Sequence, residues 1–351
     1  MRRLSAASAF KKGLVSIVMP TYRGAHSLGR AIESVLAQNY DSFELIVVDD
    51  NSPDSDARAS TMKLMNLYKG DERIHYVCHL KNLNGSAARN TGINESSGEY
   101  IAFLDDDDVL MPGRISASVA AMCGNPSASM LFCDILHVFD DDGHMNLYVM
   151  DESDLTPEGI LLNEAAVGTG SNLFCRRSGV LAIDGFDPRF QRHQDLEFSI
   201  RMLIAAPDVV VLHEPLVIKG YNGISNVPAY GKLNSVKELY NNVFNSIIEE
   251  LKPSDADAYW RNLHLSLYRS ALRSNNYSAA CMHLEQAVKH GWTRGLKECL
   301  QLTLARLGIF TLFVKNNRAA TISNGTNAEV DHMAEYEYYH HMGDLAACRD
   351  R

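Results

Sequence analysis

The sequence predicts an α/β fold: a mostly parallel sheet flanked by helices, followed by an α-helical C-terminal appendage. Three observations carry this expectation. Short, nearly continuous apolar runs alternate with segments of helical spacing through most of the chain, as expected for strands covered on both faces. After about Ser235 the helical spacing continues without intervening strands. The 351 residues are 46% hydrophobic, enough for one large core with a smaller unit appended.

The elements follow in order. Residues 15–19 (VSIVM) are a β-branched run closed by Pro20. Residues 27–38 place Leu28, Ile32, Val35 and Leu36 at helical spacing. Residues 43–48 (FELIVV) read as a strand ending in Asp49-Asp50. A helix over 55–69, a strand over 74–78, a helix over 86–95 and a strand over 100–104 (YIAFL) follow. Further on come a helix over 112–123, a strand over 128–138 and a polar turn at 140–143. Residues 168–174 read as a loop running into a strand, 194–205 as helix and 209–212 as a short strand. Helix-like segments over 236–251, 256–273, 277–290 and 294–313 form the appendage. The expected organisation is a catalytic domain over 14–234, a helical region over 235–316 and a loosely ordered tail over 317–351.

Composition narrows the function classes. A net charge of −10 and the absence of a whole-protein basic field argue against nucleic acid as a partner. The first residues, MRRLSAASAFKKG, are basic but lack a signal-length apolar core and read as a cytosolic N-terminus. No stretch approaches the roughly 18 apolar residues of a membrane span. Residues 301–315 are apolar around Arg306, and read as a buried or an interfacial helix. The seven cysteines form no Cys-x-x-Cys pair, which favours free thiols in a reducing compartment.

Four segments carry chemistry. In FLDDDDVL (103–110), four adjacent carboxylates repel one another unless they reach solvent or share a cation. In an extended segment Asp105 and Asp107 would share one side, roughly 7 Å apart. Hard oxygen ligands of this kind suit Mg2+ or Mn2+. A solvated turn capping the helix near Pro112 is the other reading. In VVDDNS (47–52), a carboxylate at a strand end could accept hydrogen bonds from a base or ribose, or simply shape a turn. NLNGSAARNTGI (82–93) places Arg89 near a helix N-terminus, an arrangement suited to anions, without any GxxxxGK[ST] or GxGxxG pattern. In FDPRFQRHQDLEF (186–198), Asp195 begins a helix, as a general base or as a carboxylate favoured by the macrodipole. His75 and His79 flank a strand and lie too far apart, roughly 13 Å, to share an ion. His193 reads as a surface residue, and Asp331, His332, His340 and His341 as part of the tail.

Taken in order, VSIVMPTY, VVDDNS, NGSAARNTG, GEYIAFLDDDD and GFDPRFQRHQD resemble glycosyltransferase family 2 over residues 15–221. The resemblance implies the GT-A fold, a Rossmann-like sheet whose strands end at a nucleotide-sugar. It implies that Pro20 and Tyr22 contact the base and that Asp50 hydrogen-bonds it, typically as uracil. Arg89 would lie near the nucleotide or its pyrophosphate, and Asp105 would touch the ribose. Asp107 would ligate Mn2+ or Mg2+, with Asp105 beside it and Asp106 or Asp108 assisting. Asp195 matches the catalytic base of inverting members. The implied partners are a UDP-sugar donor and a saccharide or lipid-linked acceptor, as in bacterial surface-polysaccharide synthesis. The implied location is the cytoplasm, with peripheral contact at the inner face of the membrane.

Two departures stand out. Gln194-Asp195 replaces the family's frequent Glu-Asp, and residues 216–226 (LVIKGYNGISN) lack the Arg-x-His found in many relatives. Lys219 or Tyr221 could stand in for it. A sugar nucleotidyltransferase is a rival reading, but MPTYRGAHS is not the glycine-rich loop it would want. A non-catalytic nucleotide-sugar-binding protein is another, and would fit loss of the acidic residues, which are all present.

Overall fold

Nine strands among the described residues pair into one sheet. They belong to a computed structural model that describes residues 10–139, 144–221, 228–293, 338, 341 and 342. The expected turn at 140–143, the helix over 294–313 and its segment 301–315, and Asp331, His332 and His340 lie outside the described residues.

In chain order the first half comprises β1 (Lys11–Thr21), α1 (Ala25–Leu36), β2 (Phe43–Asp49), α2 (Asp56–Met65) and β3 (Ile74–Cys78). It continues with α3 (Gly85–Glu95), β4 (Gly98–Phe103), β5 (Asp108–Leu110), α4 (Arg114–Gly124) and β6 (Met130–Phe139). Then come β7 (Met145–Tyr148), α5 (Pro157–Leu162), β8 (Phe174–Arg176), α6 (Arg177–Ala182), α7 (Gln194–Ala205) and β9 (Val209–Tyr221). Helices α8 (Tyr230–Val243), α9 (Asn245–Glu250), α10 (Pro253–Arg273) and α11 (Tyr277–Lys289) follow.

Strands β3, β2, β1 and β4 pair in parallel, as do β6 and β9, while β8, β5 and β7 pair antiparallel to their neighbours. The expected mostly parallel α/β sheet is therefore what forms. Its central strands read as nearly unbroken apolar runs because both faces are covered. Every residue of β2 is buried, and Val15, Ile17, Leu45, Val47 and Tyr100 form one core with Leu28, Ile32 and Val35 of α1. On the other face, Ile46 and Val48 pack with Ala88 of α3. That packing is close: a Cβ on Gly92 would come within 2.2 Å of Val18 Cγ1, which keeps α3 tight on the sheet and fixes where its N-terminus points.

The structure adds elements that local pattern did not announce. The last residue of the acidic run begins β5, and β9 runs on to Tyr221 instead of ending at Leu212. A register shift opposite Asp134 accommodates Pro215 within β9.

Two units are distinguishable, one comprising residues 1–160, 165–223 and 325–351 and the other 161–164 and 224–324. The helical unit thus begins before the expected boundary at 234/235. In the region expected to be a loosely ordered tail, Tyr338 donates to the Leu110 carbonyl at 3.2 Å. Met342, 3% exposed, joins Val109, Leu136, Val138 and Ile218.

Within the helical unit, α10 and α11 share a core of Tyr268, Ala271, Ala280 and Leu284. Beside it, His264 and His283 face each other Nδ1 to Nδ1 at 3.0 Å, and the Tyr230 hydroxyl meets His283 Nε2 at 2.9 Å. His290, bonded to Asp257 at 2.9 Å, stacks on His264. Burial first, then His283 and His290, push His264 from 6.5 down to about 4. The folded unit therefore resists protonating this ring, so the stability it confers is present above pH 6.5 and lost as pH falls toward 4. Solvent screening at this half-buried ring limits the loss to about 1–2 kcal/mol. Thermal unfolding from pH 7.5 to 5 should show a drop in melting temperature that His264→Gln makes shallower; equal drops would contradict this.

Candidate functional site

The carboxyl ends of β1, β2 and β4 lie side by side, and three polar loops leave from them. Ligands of open α/β sheets bind at such an edge. β1 delivers Pro20 and Thr21, followed by Tyr22, which is 49% exposed, with the Arg23 guanidinium 5.1 Å from its ring centroid. The Arg23 amide donates to Asn51 Oδ1 at 2.9 Å, tying this loop to the end of β2.

The two aspartates ending β2 divide their work. Asp49 is fully buried and pairs with Arg58 Nε at 2.9 Å, and also accepts from the Tyr76 hydroxyl and the Asn51 amide. It is a scaffold residue. Asp50 turns to the next loop, where Oδ1 meets His79 Nδ1 at 2.7 Å and the Leu83 amide at 2.8 Å. Its Oδ2 accepts from the Asn84 amide at 2.9 Å. His79 reaches Thr91 Oγ1 through its other nitrogen at 2.8 Å. His79 thus spans β2 and α3, a role that reading it only against His75 did not suggest.

Asp50 thereby shapes the turn from which α3 begins. The Asn84 side chain caps that helix by accepting from the Ala87 amide at 3.2 Å, and its Nδ2 donates to the Pro188 carbonyl at 3.0 Å. One turn along, Arg89 donates to Asp105 Oδ1 at 2.5 Å and to Gln194 Oε1 at 2.7 Å. It also lies 5.4 Å from the Phe186 ring centroid. This guanidinium joins the end of β4 to the start of α7, where the partly buried Asp195 sits. Gln194, the residue at the departure from Glu-Asp, supplies the amide oxygen that Arg89 uses as acceptor.

The acidic run separates into distinct environments. Asp105 is partly exposed, and its amide donates to Ser171 Oγ at 2.9 Å. Asp106 is turned toward the first loop, where Oδ2 is buried without a hydrogen-bond partner. A Cβ on Gly24 would come within 1.9 Å of that oxygen, so the loop passes as close as it does only because residue 24 is glycine. Burial, then Asp107 and Asp105, push the Asp106 carboxyl up to about 7. Burial, then Asp105, also raises Asp107. Asp108 is 2% exposed, and its Oδ2 accepts from Thr169 at 2.9 Å and Ser171 at 2.6 Å. Burial, then Asp107 and Asp105, push it up to about 8. Expected beside the cation, Asp108 is occupied as an internal support, held by hydroxyls distant in sequence.

Three residues of the site hold left-handed backbone without being glycine: Arg23 (φ 61°), Asn84 (φ 78°) and His193 (φ 56°). They stand in the first loop, at the start of α3 and at the start of α7. Conformations of this sort cost of order 1–3 kcal/mol and concentrate at functional sites.

A divalent cation fits this chemistry. Carboxylates raised above their ordinary range by burial and by one another, together with the orphaned Asp106 Oδ2, mark an acidic centre short of positive charge. No group of three or more His, Cys, Asp or Glu among the described residues makes a ready metal shell.

The fold and the loops at its strand ends define a GT-A architecture. Residues 16–180 match the profile of Glycosyl transferase family 2. The chain is 36% identical over 112 residues to the Escherichia coli UDP-Glc:alpha-D-GlcNAc-diphosphoundecaprenol beta-1,3-glucosyltransferase WfgD, covering 32% of this chain and 42% of that protein. It is 27% identical over 228 residues to the amylovoran biosynthesis glycosyltransferase AmsB of Erwinia amylovora, covering 63% of this chain and 74% of that protein. The match spans less than half the length of the first curated relatives. The structure of S. aureus TarS 1-349 in complex with UDP-GlcNAc superposes with a TM-score of 0.52 at 15% identity, over 79% of this chain and 89% of that one. The likeness concerns the fold.

Proposed function

We propose that this chain is an inverting glycosyltransferase that moves a sugar from a UDP-sugar to a hydroxyl of a saccharide or lipid-linked acceptor. The observation that carries the reading is the Arg89 bridge, which joins the acidic end of β4 to the helix start bearing Asp195. A donor site and an acceptor-activating carboxylate are thereby held in one frame.

Pro20 and Tyr22 contact the base, and Asp50 accepts from it. A carboxylate offers about four lone-pair directions; three are taken by His79, Leu83 and Asn84, leaving one on Oδ2 for an imide N–H of uracil. Asp105 keeps Oδ2 for a ribose hydroxyl while Arg89 holds Oδ1. Asp107 and Asp105 hold Mn2+ or Mg2+, with Asp106 assisting and Asp108 supporting from beneath; the bound ion supplies charge neutralisation for the departing diphosphate. Asp195 accepts the proton of the acceptor hydroxyl. The new C–O bond forms on the face opposite the diphosphate as the old one breaks.

The E. coli relative uses UDP-Glc and a diphosphoundecaprenol-linked acceptor, as its name states, and the S. aureus relative binds UDP-GlcNAc. Both names are in keeping with a UDP-sugar here, and the E. coli name with a lipid-linked acceptor, which the protein would reach by peripheral contact at the cytoplasmic face of a membrane. No helix among the described residues is long and apolar enough to cross one.

Calorimetric titration with a panel of nucleotide-sugars in Mn2+ tests the donor. UDP-sugars should bind more tightly than GDP- or dTDP-sugars, and Asp50→Ala should weaken binding about tenfold, the worth of one hydrogen bond to a charged group. No preference among bases would remove Asp50 as reader.

A further inference from the structure

We propose that Lys219, paired on the sheet with the last residue of the acidic run, is the chain's own counter-charge for the donor diphosphate. The inference rests on the glycosyltransferase reading and adds a residue to it. Lys219 lies on β9, paired with Asp108 on β5 and with His137 on β6. Its ammonium donates to the Gly168 carbonyl at 3.2 Å and lies 5.7 Å from the Tyr221 ring centroid. Tyr221, Asp108, Asp195 and Asp105 act on its charge, and it in turn acts on Asp107.

The pattern of contacts is informative. Arg89 is committed to Asp105 and Gln194. Lys219 makes no ion pair with any carboxylate among the described residues, although four of them influence it. An ammonium carries three donors; one is used by Gly168 and another meets the Tyr221 hydroxyl. Placing an ammonium in a partly buried position is costly without compensation. The carboxylates compensate it from a distance and leave its third donor for an anion brought between them. A nucleoside diphosphate is such an anion: it would bind the acidic side through the metal and Lys219 directly. Lys219 and a metal ion would then repel each other until the diphosphate arrives between them.

This gives effects of opposite sign that a merely structural lysine would not produce. In Lys219→Met, UDP affinity at saturating Mn2+, measured by calorimetry, should fall about tenfold. Mn2+ binding to the nucleotide-free protein, read by electron paramagnetic resonance, should tighten about threefold or more. Lys219→Arg should keep both near wild type. UDP affinity unchanged in Lys219→Met, or Mn2+ binding weakened together with UDP, would overturn the proposal. Lys219→Gln replaces Lys219→Met if the latter does not fold; if both neutral variants unfold while Lys219→Arg folds, the charge is structural and the proposal fails. A wild-type protein that binds no UDP would instead sink the glycosyltransferase reading itself.

Discussion

Asp107→Ala should abolish sugar transfer, by on the order of a thousandfold, because it removes a carboxylate expected to hold the cation opposite the departing charge. The same change should make the metal-free protein more stable. The folded state raises this carboxyl above its ordinary range, through burial and then Asp105. A carboxyl so raised favours folding at low pH, and that advantage is lost as pH rises through its folded value. Above that point its charge opposes folding, and alanine relieves the opposition. Mn2+ should raise the melting temperature of wild type by binding the native state. It should do so far less for Asp107→Ala. Differential scanning calorimetry at pH 7.5, with and without Mn2+, reads both effects. A variant that transfers normally, or that gains as much as wild type from Mn2+, would remove Asp107 from the cation site.

Asp195→Asn separates chemistry from binding. Asparagine keeps the shape and the helix-start position but cannot take a proton, so transfer should fall by about 10²–10⁴. Binding of UDP in Mn2+ should stay within about twofold, because the role proposed for Asp195 is on the acceptor side. The Arg89 bridge runs through Gln194 and is untouched by the change. The measurement is kcat and KM alongside a UDP titration. Full turnover by Asp195→Asn would dismiss it as base, and lost nucleotide binding would assign it to the donor side.

Much of the frame was legible because its signals are local. Val15 to Met19, Phe43 to Val48 and Tyr100 to Leu104 are apolar but for Ser16 and Glu44, and such runs become central strands when helices cover both faces. The strand-terminal aspartates followed from where those runs stop. What stayed hidden depends on pairing across the chain. The strand at Asp108 is only three residues long and exists because β9 pairs with it. The burial of Asp108 rests on Thr169 and Ser171, 61 and 63 residues away. His79 shows its purpose only when its strand lies beside β2, bringing Asp50 within 2.7 Å. Residues 209–212 read as a short strand, and only the register shift opposite Asp134, where Pro215 sits, shows how the strand continues to Lys219. In the tail, Tyr338 and Met342 were read as part of a polar stretch, yet they meet an apolar face offered by β5, β6 and β9.

The most direct test is acceptor-dependent transfer by the wild-type protein. The protein is incubated with a UDP-sugar, Mn2+ and a diphosphoundecaprenol-linked saccharide, and the product's anomeric configuration is determined by NMR. The expected result is UDP release that requires the acceptor, with a new glycosidic bond of inverted configuration. Formation of a nucleotide-sugar from a sugar 1-phosphate and UTP, or UDP-sugar binding with no transfer to any hydroxyl acceptor, would contradict it.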